Sequence, residues 1–248
     1  MGWLSGPLGR TIMAEEERVL GRLIRDLPPP RQSLAVGAQE YARVVERLAA
    51  RGRSWHMLVP AAGDGLTGEP GSASRPRRLI WGLPEALPLP SAELDLAVLF
   101  HPLEFSRSPY RILAEAERVL APGGCLVVFV FNPVSLFGLL RALRPKRKGP
   151  WEGRFRPALS VRRMLESTGL IHERSEYLFF RPPFGRAAML RAFGFWEYLP
   201  SALPLGGVVC LQARKEEPGM TLLGPAFRQE LARGRRGGLP AYPYGDCA

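Results

Sequence analysis

Two titratable side chains stand three positions apart directly after a short apolar run, His101 and Glu104 in the segment L-D-L-A-V-L-F-H-P-L-E-F over residues 94–105. An imidazole titrates near neutrality and a carboxylate can trade a proton with it. His101 is therefore a candidate general base or substrate contact, and Glu104 a second candidate acid or base. Each also has a plainer reading: a histidine that caps the strand end against a bound ligand's edge or solvent, and an exposed loop carboxylate. The cysteines Cys125, Cys210 and Cys247 are odd in number and show no metal-ligand spacing. They read as reduced, buried or incidental thiols.

The elements that would carry these groups follow from hydrophobic periodicity. Leu94 to Phe100 is an apolar run of the kind a strand covered on both faces shows, and Leu126 to Phe131 is a second, purer one. Between them Ile112, Leu113, Ala116, Val119 and Leu120 recur at helical spacing, and Pro122-Gly123-Gly124 stops the helix. This is a strand, helix, strand unit, so the sheet is at least partly parallel. Upstream, a helix is predicted over 13–27, its acids Glu15 to Glu17 suiting the positive N-terminal end, with Pro28-Pro29-Pro30 to end it and the sheet edge to pack across. Strands are predicted at Gln32 to Val36, Trp55 to Val59 and Arg77 to Trp81, with a helix from Ala38 to Arg51. Pro60 to Pro76, rich in Gly, Ala, Ser and Pro, joins the second and third of these strands without a recognisable helix. After Asn132, Ser135 to Leu140 starts a short helix, Ser160 can cap another that ends at Gly169, Ile171 to Phe180 reads as a sixth strand and Val208 to Ala213 as the last. The aromatic group Phe193, Phe195, Trp196 and Tyr198 reads as a small core in a Pro/Gly-bounded excursion, or as a receiver of an apolar substrate.

At 248 residues the chain can bury one good core, and the apolar content of 46% is ordinary for a globular protein. No apolar run approaches the roughly 20 residues of a membrane span, and the first residues have neither the basic nor the long apolar region of a signal peptide. A cytoplasmic protein is expected. The organisation read here is an N-terminal helical extension over 1–30, a main domain over 31–214 and a basic, flexible tail over 215–248. The net charge is +11, and it is concentrated: between Arg141 and Arg163 lie nine basic residues against one acid, Glu152. Such a window is a solvated loop in a basic protein, or a contact for an anionic substrate, RNA or membrane surface, with Asn132, Arg144, Lys146, Arg147 and Lys148 as its candidate residues.

Ligands in open α/β sheets bind outside the carboxyl ends of the strands, near the switch in strand order. By that rule Gly37, Pro60, Gly82, Leu83, Phe100, His101 and Asn132 line any cleft.

The run L-P-L-P-S-A-E-L-D-L-A-V-L-F-H-P-L-E-F, followed by R-I-L-A-E-A-E-R-V-L-A-P-G-G-C-L-V-V, resembles the fourth strand, following helix and fifth strand of class I S-adenosylmethionine-dependent methyltransferases, within them the methyltransferase type 11 subgroup. The continuation F-N-P-V-S-L-F-G-L is similar to a poorly characterised proteobacterial branch of that group. The resemblance implies a Rossmann-like, doubly wound α/β fold, a mostly parallel seven-stranded sheet with an antiparallel last strand, S-adenosylmethionine as cofactor, and a small molecule or nucleic acid as methyl acceptor. It also implies a substrate lid in the segment after Asn132.

Members hold the cofactor with a glycine-rich loop and an acid at strand one, an acid at the end of strand two and often an Asp at the end of strand three. Ala61-Ala62-Gly63-Asp64-Gly65 imitates that loop, but only about 20 residues separate it from the third-strand position, where a helix, a strand and another crossover need nearer twice that. Placing strand one at Gln32 to Val36 fits the available length. The loop then reads Gly37-Ala38-Gln39-Glu40-Tyr41, with Ala35, Pro60 and Leu83 standing where the acids belong. Charged acceptors give roughly 1.5 to 3 kcal/mol per hydrogen bond, so losing several weakens cofactor affinity by orders of magnitude. Glu40 or Asp64 could substitute from a neighbouring position. Two functions follow: a methyltransferase of unknown acceptor, or a non-catalytic binding or regulatory protein on a decayed methyltransferase scaffold, holding RNA or another anion through residues 141–163.

Overall fold

In the computed structural model a central sheet runs through the protein in the order β3-β2-β1-β4-β5-β7-β6. The described residues are 3–50, 54–60, 79–143, 149–183, 200 and 203–216. Its strands are β1 (Gln32–Val36), β2 (Ser54–Pro60), β3 (Leu79–Gly82), β4 (Leu94–Phe100), β5 (Leu120–Phe131), β6 (Leu170–Leu178) and β7 (Val208–Lys215). The pairs β3/β2, β2/β1, β1/β4 and β4/β5 are parallel, while β7 lies antiparallel to both β5 and β6. This is the doubly wound, Rossmann-like arrangement expected, with strand one at Gln32–Val36. Gly63 and Gly65 therefore follow β2, not β1.

The alternation along the central strands shows why the runs are apolar throughout. Leu96, Val98 and Phe100 of β4 and Cys125, Val127, Phe129 and Phe131 of β5 belong to one buried cluster, and Ala97, Leu99, Leu126, Val128 and Val130 to the other. A strand has period two, so a sheet covered on both faces needs apolar residues at odd and even positions alike. The helices α1 (Pro7–Asp26) and α2 (Ala42–Ala49) contribute to the first cluster, and α4 (Pro109–Val119) and α6 (Ala158–Ser167) to the second. Between β4 and α4 sits the single turn α3 (Pro102–Phe105), and α5 (Leu136–Leu143) follows β5.

Several boundaries differ from the sequence reading. Helix α1 begins at Pro7, with Gly6 before it and proline at its first position, where the missing N–H costs nothing. Glu15 to Glu17 thus lie in its middle, not at its positive end. Ile12, Val19, Leu20, Leu23 and Ile24 of this helix are buried with Ala35, Val98 and Phe100 of the sheet, so it covers the sheet's face rather than its edge. Ser160 lies inside α6 rather than capping it, because the helix already starts at Ala158. Gly169 does end that helix, at φ +84°, the left-handed conformation a helix terminus requires. Cys125 and Cys210 are free and buried, and burial pushes the Cys125 thiol up to about 12. The aromatic group at 193–198, Cys247 and the tail from 217 lie outside the described residues.

Candidate functional site

The switch in strand order falls between β1 and β4, whose carboxyl ends are Val36-Gly37 and Phe100-His101. His101 continues the ladder through its N–H to the Phe129 carbonyl at 3.1 Å, then turns the chain into α3 with φ 60° and ψ 22°. Left-handed backbone is uncommon outside glycine and costs on the order of 1 kcal/mol or more. What holds it there is a chain of buried polar side chains. His101 Nε2 stands 2.7 Å from Glu16 Oε1, and its Nδ1 2.9 Å from Glu104 Oε1. Glu16 Oε2 accepts the Tyr41 hydroxyl at 2.7 Å, and Glu104 Oε1 also accepts the Phe131 backbone N–H at 2.7 Å. All four side chains are buried, Glu16 completely.

Helix α1 supplies Glu16, the turn after β1 supplies Tyr41, and β4 with α3 supplies His101 and Glu104. The three successive glutamates of α1 serve three ends: Glu15 pairs with Arg18 and Arg181, Glu16 with this cluster, and Glu17 with Arg47 of α2. Aromatic rings close the cluster. The imidazole stacks on Phe131 at 4.0 Å between ring centroids, and Tyr41 stacks on Phe100 at 4.2 Å.

Burial on its own would lower the His101 pKa, but the two carboxylates outweigh it and raise it to about 10. His101 therefore carries its proton near neutrality and cannot take a second. It is placed as a cation between two carboxylates rather than as a free base. Burial, with Glu16 beside it, pushes the Tyr41 hydroxyl well above its ordinary value, so this group also keeps its proton. Glu104, expected as an exposed loop carboxylate, is buried because α3 turns it back under β5. Its Oε2 has no hydrogen-bond partner among the described residues.

The remaining candidate residues are placed as follows. Gly37 is buried at the β1 exit, where an added Cβ would meet the Phe100 Cβ at 2.9 Å. Close approach of two strand ends is what demands glycine there. Glu40 lies half-buried in the 3-10 turn Gln39–Tyr41, and Pro60 ends β2 half-buried. Gly82 ends β3, and Leu83 follows it exposed. Asn132 is buried and its amide is fully used: Nδ2 donates to the Pro204 and Gly206 carbonyls, both at 2.9 Å, and Oδ1 accepts the Val134 N–H at 3.0 Å. It latches the approach to β7 onto the end of β5 and has no amide group left for an anion. Arg144, Lys146, Arg147, Lys148 and Asp64 lie outside the described residues. Of the other basic residues in that window, Arg141 donates to the Trp151 and Gly153 carbonyls, Arg156 to that of Leu103, and Arg162 to Glu166.

S-adenosylmethionine is the cofactor that the resemblance of this chain implies. Its ribose and adenine ask for acceptors at the ends of β2 and β3, and Pro60 and Leu83 have none on their side chains. At the β1 and β4 exits, Tyr41, His101 and Glu16 are committed to one another. Pro60 and Leu83 thus do not supply the acceptors expected at the ends of β2 and β3, which leaves the half-buried Glu40 after β1 as the carboxylate among the described candidates not tied into the buried cluster.

Sequence reasoning missed Glu16. The signal was its position, four residues after Ile12 and four before Leu20, on the face of α1 that carries the apolar residues.

Residues 71–128 match the family model for a methyltransferase domain. The uncharacterized protein YafS of Escherichia coli K12 is 39% identical over 72 residues, 29% of this chain and 30% of YafS. The uncharacterized protein Rv2003c of Mycobacterium tuberculosis H37Rv is 27% identical over 169 residues, 67% of this chain and 55% of that protein. The chain thus spans about half or less of the length of these curated relatives. Among solved structures, an S-adenosylmethionine-dependent methyltransferase of Archaeoglobus fulgidus superposes with a TM-score of 0.54 at 15% identity, covering 80% of this chain and 92% of the other. The strand order is thus that of the S-adenosylmethionine-dependent methyltransferase structures it resembles, with a methyltransferase-domain match over residues 71–128.

Proposed function

We propose that the chain is a cytoplasmic S-adenosylmethionine-dependent methyltransferase acting on a small molecule or a nucleic acid. The observation that supports this reading is the strand order, whose switch between β1 and β4 is the place where open α/β sheets take their ligand. Because Pro60 and Leu83 offer no side-chain acceptor, the ribose contacts fall in this proposal to Glu40 or Asp64. His101 and Glu104 act through position: the fixed imidazolium and its carboxylates shape the β4 exit and tie α1 to it.

A specific observation favours a second reading, a non-catalytic protein on a methyltransferase scaffold. At the switch point Tyr41, His101, Glu16 and Glu104 are buried and bonded to one another. A cofactor would have to enter between them or displace α1.

Calorimetric titration of the full chain with S-adenosylmethionine and S-adenosylhomocysteine separates the two. Micromolar binding is expected for the methyltransferase, and no heat up to millimolar ligand would overturn it and leave the scaffold reading. Where binding occurs, Glu40→Ala or Asp64→Ala should weaken it by about tenfold or more, the loss of one charged acceptor. Unchanged affinity in both variants removes these two residues from the site.

A further inference from the structure

Many arginines on the described surface are answered by a carboxylate of the same chain. Arg22 pairs with Glu176, Arg47 with Glu17, Arg118 with Glu115 and Arg162 with Glu166. Around α3 the pattern stops. Arg107 follows that turn, Arg111 stands in the first turn of α4 and Arg154 precedes α6; all are exposed, and none forms an ion pair among the described residues. The start of a helix favours acids, yet neither α4 nor α6 has one in its first turn. Arg111 therefore opposes the dipole of its own helix.

Two contacts gather these groups. The Arg154 N–H donates to the Glu104 carbonyl at 2.8 Å, and Arg156 Nε to the Leu103 carbonyl at 3.3 Å, so the segment 153–156 lies along α3. Arg107 follows Glu104 closely enough that their Cα atoms are at most about 10 Å apart. Helices α4 and α6 pack beside each other, and both begin at the carboxyl end of the sheet, where open α/β sheets take their ligands. The carboxylates of these segments are engaged elsewhere: Glu104 by His101 and the Phe131 N–H, Glu85 by the Ser106 hydroxyl and Glu152 by the Gly149 N–H.

A guanidinium presents paired N–H groups that match the oxygens of a phosphate, and it keeps its charge at any physiological pH. We infer that Arg107, Arg111, Arg154 and Arg156 hold the phosphate group of a small methyl acceptor beside the β4 exit. A polynucleotide presents its phosphates in a row and is tracked by an extended cationic surface. Here Arg118 and Arg162, on the helices that leave the patch, are already neutralised, so a single phosphate group is what the patch matches. That the bound molecule is the acceptor rests on the methyltransferase reading; that the patch takes phosphate does not.

Calorimetric titration of the full chain with inorganic pyrophosphate and with a single-stranded oligoribonucleotide tests it, with S-adenosylmethionine titrated alongside. Submillimolar binding of pyrophosphate at low salt is expected. Arg107→Ala with Arg154→Ala should weaken it at least about tenfold through the loss of charge-assisted contacts, with the thermal midpoint preserved because both side chains are exposed. Arg25→Ala with Arg31→Ala removes the same charge from exposed positions flanking the start of β1, at the opposite end of the sheet, and should leave pyrophosphate binding unchanged. A protein that binds S-adenosylmethionine but not pyrophosphate overturns the phosphate site and leaves the methyltransferase reading intact. Pyrophosphate binding lost only in the Arg107/Arg154 variant, in a protein that ignores S-adenosylmethionine, supports the phosphate site and overturns its assignment to an acceptor. Equal losses in the two double variants, or an oligoribonucleotide that binds more tightly than pyrophosphate and depends on Arg107 and Arg154, overturn the inference.

Discussion

His101 Nε2 and Glu16 Oε1 stand 2.7 Å apart although 85 positions separate them in the chain. This contact, with its continuation to Tyr41, ties α1 to the exits of both β1 and β4. Replacing Glu16 by alanine leaves the imidazolium one carboxylate short and removes the acceptor of a buried hydroxyl. Breaking a buried pair from one side costs about 3 to 5 kcal/mol. Urea denaturation should show a loss of that size for Glu16→Ala and a smaller one for Glu16→Gln, which keeps an acceptor for Tyr41. A loss under about 1 kcal/mol would mean that the pair does not hold the helix.

The same pair makes stability depend on pH. The His101 pKa is about 10 in the folded protein and about 6.5 in an unfolded chain, so between these values the folded state binds more protons. The contribution is fully present below about pH 6.5 and is lost as the pH rises toward 10, a decline on the order of a few kcal/mol. Denaturation midpoints across that range should fall, and His101→Gln should flatten the decline. A His101→Gln protein with the same slope as the parent would place the titrating group elsewhere.

Asn132→Ala should loosen the entry to β7. Two carbonyls and one amide lose their partner, and the Gly206 carbonyl is buried where water does not replace it. A cost of about 2 kcal/mol is expected. Hydrogen exchange should quicken in Val208 to Leu211 before it does in β4, and equal protection in parent and variant would show the latch to be dispensable.

Gly138→Ala should damage α5 outright. An added Cβ would lie 1.8 Å from the Pro133 carbonyl oxygen, and backbone cannot yield as a flexible side chain can. A loss of at least about 2 kcal/mol by chemical denaturation is expected. A variant as stable as the parent would mean that Pro133 moves freely.

The central strands were legible because their chemistry is local. Leu94 to Phe100 and Leu126 to Phe131 are apolar at odd and even positions, and Gln32 to Val36 could be chosen as β1 from chain length alone. Helix α1 was read six residues short because Glu15 to Glu17 resemble a first turn, while the Gly6-Pro7 start signal went unused. The candidate site was half legible. His101 and Glu104 stand out after β4, but Glu104 was expected exposed, and Glu16 draws its role from partners 25 and 85 positions away. No window of local sequence contains such a relationship. Asn132 looked like a ligand because strand ends face the cleft, whereas its amide is consumed by a loop more than 70 residues downstream.

The long reach of Glu16 also sets an order of assembly. Helix α1 is synthesised before the sheet, yet its buried carboxylate lacks the His101 imidazolium until β4 and α3 have been made. An early helix with an apolar face and an unneutralised inward charge cannot dock on a partial sheet without stranding that charge. Non-local contacts of this kind close late, after the loop entropy between them has been overcome. Helix α1 is thus made before the sheet it covers and is among the last elements to find its place, held out until the imidazole that receives it exists.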